Sequence, residues 1–227
     1  MNLNHSSLHH HVMRQIVDGG RAPTVSELTG RFDVTRTEMI QALEALQDDH
    51  GVVLHPDSAE IWVMHPFSTA PTNFWIEAAD GGWWGNCAWC SLGAAALLDR
   101  DLTITTTLGG EAKQVVIEVS DGRLVNENLF IHFPVPMSNA WDNVTFTCSV
   151  MLMFESELHI DDWCHRHGMS KGDVQPIGKI WEFAKVWYGR HLDRDWVKWS
   201  VAEARQIFER FELVDPIWQM PSEHGRF

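Results

Sequence analysis

Apolar and polar positions along this chain follow two periods, one helical and one of strands. Residues 10–17 set Val12, Met13, Ile16 and Val17 on one side and stop at Gly19-Gly20, which predicts a short helix. Thr24-Val25-Ser26-Glu27-Leu28 carries the threonine-to-glutamate spacing of a capping box and opens a second helix. Residues 35–47 predict a third, with Met39, Leu43 and Leu46 on one face. From residue 51 to 63 the pattern shortens and β-branched residues flank Pro56-Asp57, so a hairpin is expected. Three helices and a hairpin predict a winged-helix-like module over residues 1–66.

Beyond Pro66 the pattern changes. Pro71 and the polar Ser68-Thr69 mark a short connector. Strands are expected at residues 74–78, 102–108, 114–119, 129–133 and 144–154, each rich in β-branched or aromatic residues and bounded by Gly, Pro or Asp-Gly. Residues 89–98 are rich in Ala and Leu and predict a helix with Cys90 near its N-terminus. The last third predicts a helix closing on Gly168, another over residues 177–191, and a third over 200–211 with Val201, Ala204, Ile207, Phe208 and Phe211 on one side. Seven of the twelve tryptophans lie at or after Trp141, which predicts a bulky aromatic core there. The expected fold class is α+β: the three-helix module, then a mixed or antiparallel sheet with flanking helices over residues 67–227.

Charge narrows the partners. The chain of 227 residues carries a net charge of −14. Residues 1–66 hold four arginines and no lysine against nine acidic residues, and the third helix offers Arg36 against Glu38, Glu44, Asp48 and Asp49. A reader of DNA needs cations on that helix. No nucleic-acid partner is therefore expected, and the module is read as a packing or dimerisation unit, with a homodimer as the oligomer it suggests. No apolar run reaches the length of a membrane span, so no membrane partner is expected. Residues 1–11 are polar and rich in histidine, and a frayed, solvated end is expected there. They hold no secretory pattern, which predicts a cytoplasmic protein with four reduced thiols.

The densest chemistry lies in Asn86-Cys87-Ala88-Trp89-Cys90-Ser91-Leu92-Gly93. Two thiols in four positions leave three readings: ligands for a soft metal, a nucleophile, or small core fillers. A structural zinc site would need Cys164 with His165 or His167 as its second half. A thioredoxin-like redox pair lacks its βαβ context, and no phosphate loop, nucleophile elbow or H-E-x-x-H pattern occurs. Glu155 and Glu157 read as a solvated turn, and His132 as a satisfied strand histidine.

Four segments together resemble the alkylmercury lyase (organomercurial lyase) family. They are Trp89-Cys90-Ser91-Leu92 leading into an apolar helix, the strand and turn from Thr103 to Gly110, Phe146-Thr147-Cys148-Ser149-Val150, and Asp162-Trp163-Cys164-His165-Arg166-His167. The resemblance spans roughly residues 10–170. It implies that two thiolates take the mercury of an organomercurial, that an acid protonates the departing carbon, and that the ion stays on the two sulfurs. Mercury is soft and prefers thiolate, and a carbanion-like carbon needs a proton source. Carried over, Cys90 and Cys148 are the catalytic thiols, and Cys87, Cys90 and Cys148 the candidate metal ligands. The implied partners are a small organometal substrate and small thiols that remove the product, with no cofactor required.

Two positions depart from the family pattern. An ungapped match sets Thr147, rather than Cys148, at the second catalytic cysteine, and on a strand the two would face opposite ways. The family's acid is an aspartate three residues after the first cysteine, where this chain has Gly93. The proton donor is thus unassigned, with Asp142, Glu155 or a metal-bound water as replacements. Two functions stay open: a carbon–mercury lyase, and a relative that holds Hg, Cu or Zn on Cys87, Cys90 and Cys148 without turnover.

Overall fold

Each of the first three helices starts on a side-chain cap. The computed structural model describes residues 3–125 and 127–220. Asn4 caps α1 (His5–Gly19), which closes on Gly20 in the left-handed conformation. Thr24 with Glu27 and Thr35 with Glu38 form complete capping boxes at α2 (Val25–Phe32) and α3 (Arg36–Asp48). Such reciprocal caps satisfy backbone donors that a helix leaves orphaned and are worth about 1 kcal/mol each. Helix α1 begins at His5, ahead of the start its apolar pattern predicts. The expected solvated end is ordered from there, because His9 is buried with its ring stacked on Trp196, centroids 3.5 Å apart. Residues 1 and 2 of that segment lie outside the described residues.

Strands β1 (Val53–Leu54) and β2 (Ile61–Met64) pair antiparallel as the hairpin around Pro56-Asp57. They continue into β3 (Phe67–Ser68), β4 (Phe74–Ala78) and β5 (Gly81–Gly85). After α4 (Ala88–Leu98) come β6 (Leu102–Thr107), β7 (Gln114–Ser120) and β8 (Arg123–Leu124). These eight strands form one sheet in the order β1-β2-β3-β5-β4-β6-β7-β8. Strand β6 alternates buried and half-buried residues along its length, the period-2 signature of a sheet with one covered face.

The covering element is α4. All its residues except Ala96 are buried, a pattern of helices enclosed on every side. It packs on β4 and β5 below and on α7 (Ile177–Tyr188) above. Trp83 of β5 donates its indole N–H to the Ile16 carbonyl at 2.8 Å and so ties α1 to the sheet. A second, three-stranded sheet follows. Its central strand is β9 (Phe130–Phe133), and β10 (Met153–Phe154) and β11 (Asp173–Pro176) flank it, antiparallel.

Between β9 and β10 lies the main correction to the sequence-based expectation. Residues 144–154 do not form one strand. They fold as α5 (Val144–Val150) followed by β10. Asn143 caps α5 by accepting the Phe146 N–H at 3.0 Å, and the buried residues Val144, Thr147 and Cys148 fall at helical spacing. β-Propensity of Val and Thr is a weak preference, and a cap plus a buried helical face override it. Helices α6 (Glu157–His167), α7 and α8 (Val201–Arg210) complete the fold. Helix α6 closes on Gly168 in the left-handed conformation, and Ser200 with Glu203 box the start of α8. The class is α+β, every strand pairing is antiparallel among the described residues, and one apolar cluster runs from Leu8 to Trp218. The later tryptophans 163, 181, 187, 196 and 218 are all in it.

Candidate active site

The site is built on the first turn of α4. Cys87 is the N-cap residue, and its sulfur accepts the backbone N–H of Cys90 at 3.3 Å. Cys90 therefore stands in the first helical turn, where the aligned peptide dipoles favour an anion. Cys148 comes from α5, His65 from the β2–β3 connection, and Tyr188 from the last position of α7. One ligand atom each from His65, Cys90 and Cys148 lie within 4.8 Å of one another. A point within about 2.8 Å of all three therefore exists (4.8 Å divided by √3), close to the ~2.0–2.3 Å of metal–nitrogen and metal–sulfur bonds. The backbone needs to move little to close on an ion.

All four cysteines are free and buried. The three at the site differ sharply in acidity. Burial works against ionising Cys90. Hydrogen bonds from Cys148 and Cys87, the nearby His65 and the Tyr188 hydroxyl outweigh it and hold the thiol well below its ordinary value. Cys87 goes up, chiefly through burial. Cys148 also goes up, through its hydrogen bonds with Cys87 and Cys90 and then burial. The surroundings thus favour ionisation at Cys90 and oppose it at Cys87 and Cys148. The Cys87 thiol also donates to Met151 Sδ at 3.4 Å.

These residues line a cavity of about 50 Å³. A cavity of that size holds on the order of four water-sized groups. Trp89, Met137, Trp141, Val144 and Trp187 make its walls largely apolar. His65 is buried, with the Asn86 amide nitrogen 3.3 Å from its Nε2. Burial brings its pKa down to about 4, so the imidazole is neutral near pH 7 and free to act as a ligand. Lys198 also faces the cavity, its Nζ 4.5 Å from the Trp141 ring centroid. Burial brings that amine down to about 7, with the charge on Cys90 pulling the other way.

Of the predicted site residues, the structure brings Cys87, Cys90 and Cys148 to one cavity. Thr147 lines it as well, since neighbours on a helix turn by about 100° and do not face opposite ways. The zinc alternative built on Cys164 is not supported. Cys164 belongs to α6 and points at His132 Nε2, 3.6 Å away, while His165 and His167 are exposed. Neither replacement acid lines the cavity. Asp142 accepts from the Asn139 amide at 2.8 Å, and Glu155 pairs with Lys113 at the surface. His65, Tyr188 and Lys198 escaped the sequence-based reading, because no local pattern marks a residue that reaches a site from a distant segment. One signal was present: Gly93 inside an Ala- and Leu-rich helix, the mark of a close neighbour.

The sequence pattern of the alkylmercury lyases matches residues 67–189, more than half of the chain and the whole of α4, α5 and α7. The chain belongs to the alkylmercury lyase family. A search among curated proteins finds no match. Among solved structures that match is the crystal structure of the mercury-bound form of MerB2, with a TM-score of 0.65 and 17% identity. The superposition covers 81% of this chain and 91% of that one, so the alkylmercury lyase fold extends well beyond the matched core. All four segments that carried the resemblance lie inside the family match, and the N-terminal 66 residues precede it.

Proposed function

We propose that this protein is a carbon–mercury lyase that cleaves short-chain organomercurials on Cys90 and Cys148. The observation that carries the reading is the placement of both sulfurs and His65 within 4.8 Å at the base of an apolar cavity. The Cys90 thiolate displaces a small thiol from R–Hg and forms Cys90–S–Hg–R. The Cys148 sulfur then bonds to mercury, its proton appears on carbon, and the mercury–carbon pair becomes the new C–H bond. The products are R–H and mercury bridging two sulfurs, and atoms and charge balance without an external acid. Excess small thiol in a reducing compartment removes the ion, and we place the protein in the cytoplasm for that reason. We further propose that residues 1–66 form a winged-helix-like unit that packs on the core and does not bind nucleic acid, consistent with its acidic balance.

The test is incubation with methylmercury and excess cysteine, with methane measured by gas chromatography. Methane formation in the wild type and none in Cys90→Ser is expected; no methane from the wild type overturns the reading. The His65 imidazole in the donor set supports a second reading, a protein that holds Cu or Zn on His65, Cys90 and Cys148 without turnover. Metal retained in stoichiometric amount after gel filtration, with no methane, would favour it.

A further inference from the structure

The proton that leaves Cys148 needs a carrier, and the cavity walls hold no carboxyl group among the described residues. The hydroxyl of Tyr188 is 3.3 Å from Cys90 Sγ, the atom that receives mercury. Tyr188 is 3% exposed and lines the same cavity. Its ring is held on several sides: Trp89 lies 5.7 Å and His191 5.0 Å away between centroids, and Gly93 of α4 offers its bare Cα beneath it. A Cβ at Gly93 would fall 2.0 Å from the ring carbon Cδ2. The glycine is what lets the phenol reach the sulfur.

We propose that Tyr188 is a catalytic residue, whose hydroxyl carries the proton from the Cys148 thiol to the departing carbon. The assignment rests on the carbon–mercury lyase reading. In the step, the Cys148 sulfur gives a lone pair to mercury as its S–H proton moves to the Tyr188 oxygen. The Tyr188 O–H proton moves to carbon, and the mercury–carbon bonding pair becomes the C–H bond. The phenol ends as it began, nothing is oxidised or reduced, and mercury is left between Cys90 and Cys148.

The discriminating variant is Tyr188→Phe, which keeps the ring over Gly93 and removes only the oxygen. Single-turnover methane release from methylmercury is compared with mercury capture, followed by the thiolate–mercury absorption in the ultraviolet. Expected is capture of one mercury per chain, slowed only a few-fold because Tyr188 is the last of several groups that lower the Cys90 thiol pKa, with methane release slowed by on the order of 10²-fold or more, as loss of a positioned proton-transfer group implies. Methane release within about threefold of the wild type overturns the assignment while leaving the lyase reading intact. Loss of capture together with release also overturns it, since Tyr188 would then only support the thiols. If the wild type captures mercury and releases no methane, both the lyase reading and this assignment fall.

Discussion

The ring of Tyr188 occupies the space into which a side chain at Gly93 would project, with a Cβ there only 2.0 Å from its Cδ2. The two features are coupled sterically: a residue without a side chain on α4 leaves room for a phenol delivered from α7. In an unhindered helix Gly→Ala gains about 1 kcal/mol. Here the buried clash opposes it, and overpacking a core costs about 1–3 kcal/mol. Gly93→Ala is therefore expected to destabilise, by up to ~2 kcal/mol in urea unfolding. In a Tyr188→Ala background the same change is expected to stabilise, a reversal that a double-mutant cycle reads directly.

On the proposed lyase reaction, variants of Cys90 and Cys148 should fail at different steps. Cys90→Ser is expected to capture no organomercurial, because the proposed reaction begins at this thiol, whose pKa its surroundings lower. Cys148→Ser is expected to stop at the adduct that still carries its alkyl group. Native mass spectrometry after methylmercury treatment separates the outcomes: no added mass in the first, mercury plus a methyl group in the second.

Cys87 is held as a helix cap, its sulfur engaged with the Cys90 N–H and with Met151. Serine caps a helix at least as well. Cys87→Ser is expected to keep one mercury per chain and methane release within about tenfold of the wild type, since a serine hydroxyl can replace the cap and the other hydrogen bonds of this sulfur. A fall to the level of Cys90→Ser would place Cys87 among the reacting sulfurs.

Acid should weaken the fold through its enclosed histidines. His9 and His191 have pKa values pushed well below the ordinary histidine value. Burial is the main cause at both, followed by Lys198 and His10 at His9 and by His9 and Lys198 at His191. Both His9 ring nitrogens lack a hydrogen-bond partner among the described residues. The folded state thus binds fewer protons than the unfolded chain below the unfolded pKa. Stability from this source is fully present above about pH 6.5 and declines as pH falls below it. Melting temperatures measured from about pH 8 to about pH 5 are expected to drop across the lower part of that range. His9→Phe, which keeps a ring on Trp196, is expected to show a shallower drop.

Much of this architecture was legible in local pattern. The capping boxes at Thr24 and Thr35, the Pro56-Asp57 hairpin, the left-handed Gly168 and the placement of Cys90 in a helix's first turn are each decided within a few residues, where backbone conformation and side-chain caps need no distant partner. Local pattern misjudged α5. There Val144, Phe146 and Thr147 favour a strand by type, and Asn143 with a buried face at positions 144, 147 and 148 decides for a helix. Membership of the site, by contrast, was set by long-range packing. His65, Cys148, Tyr188 and Lys198 come from four separate segments, and Cys90 meets Tyr188 across 98 positions of chain. Such meetings depend on how α4 is sandwiched between the sheet and α7, which no short window of residues encodes. The same packing explains why the pKa of Cys90 is pushed down and that of Cys148 up: neighbours donated from distant segments, more than the thiols' own sequence surroundings, set both directions.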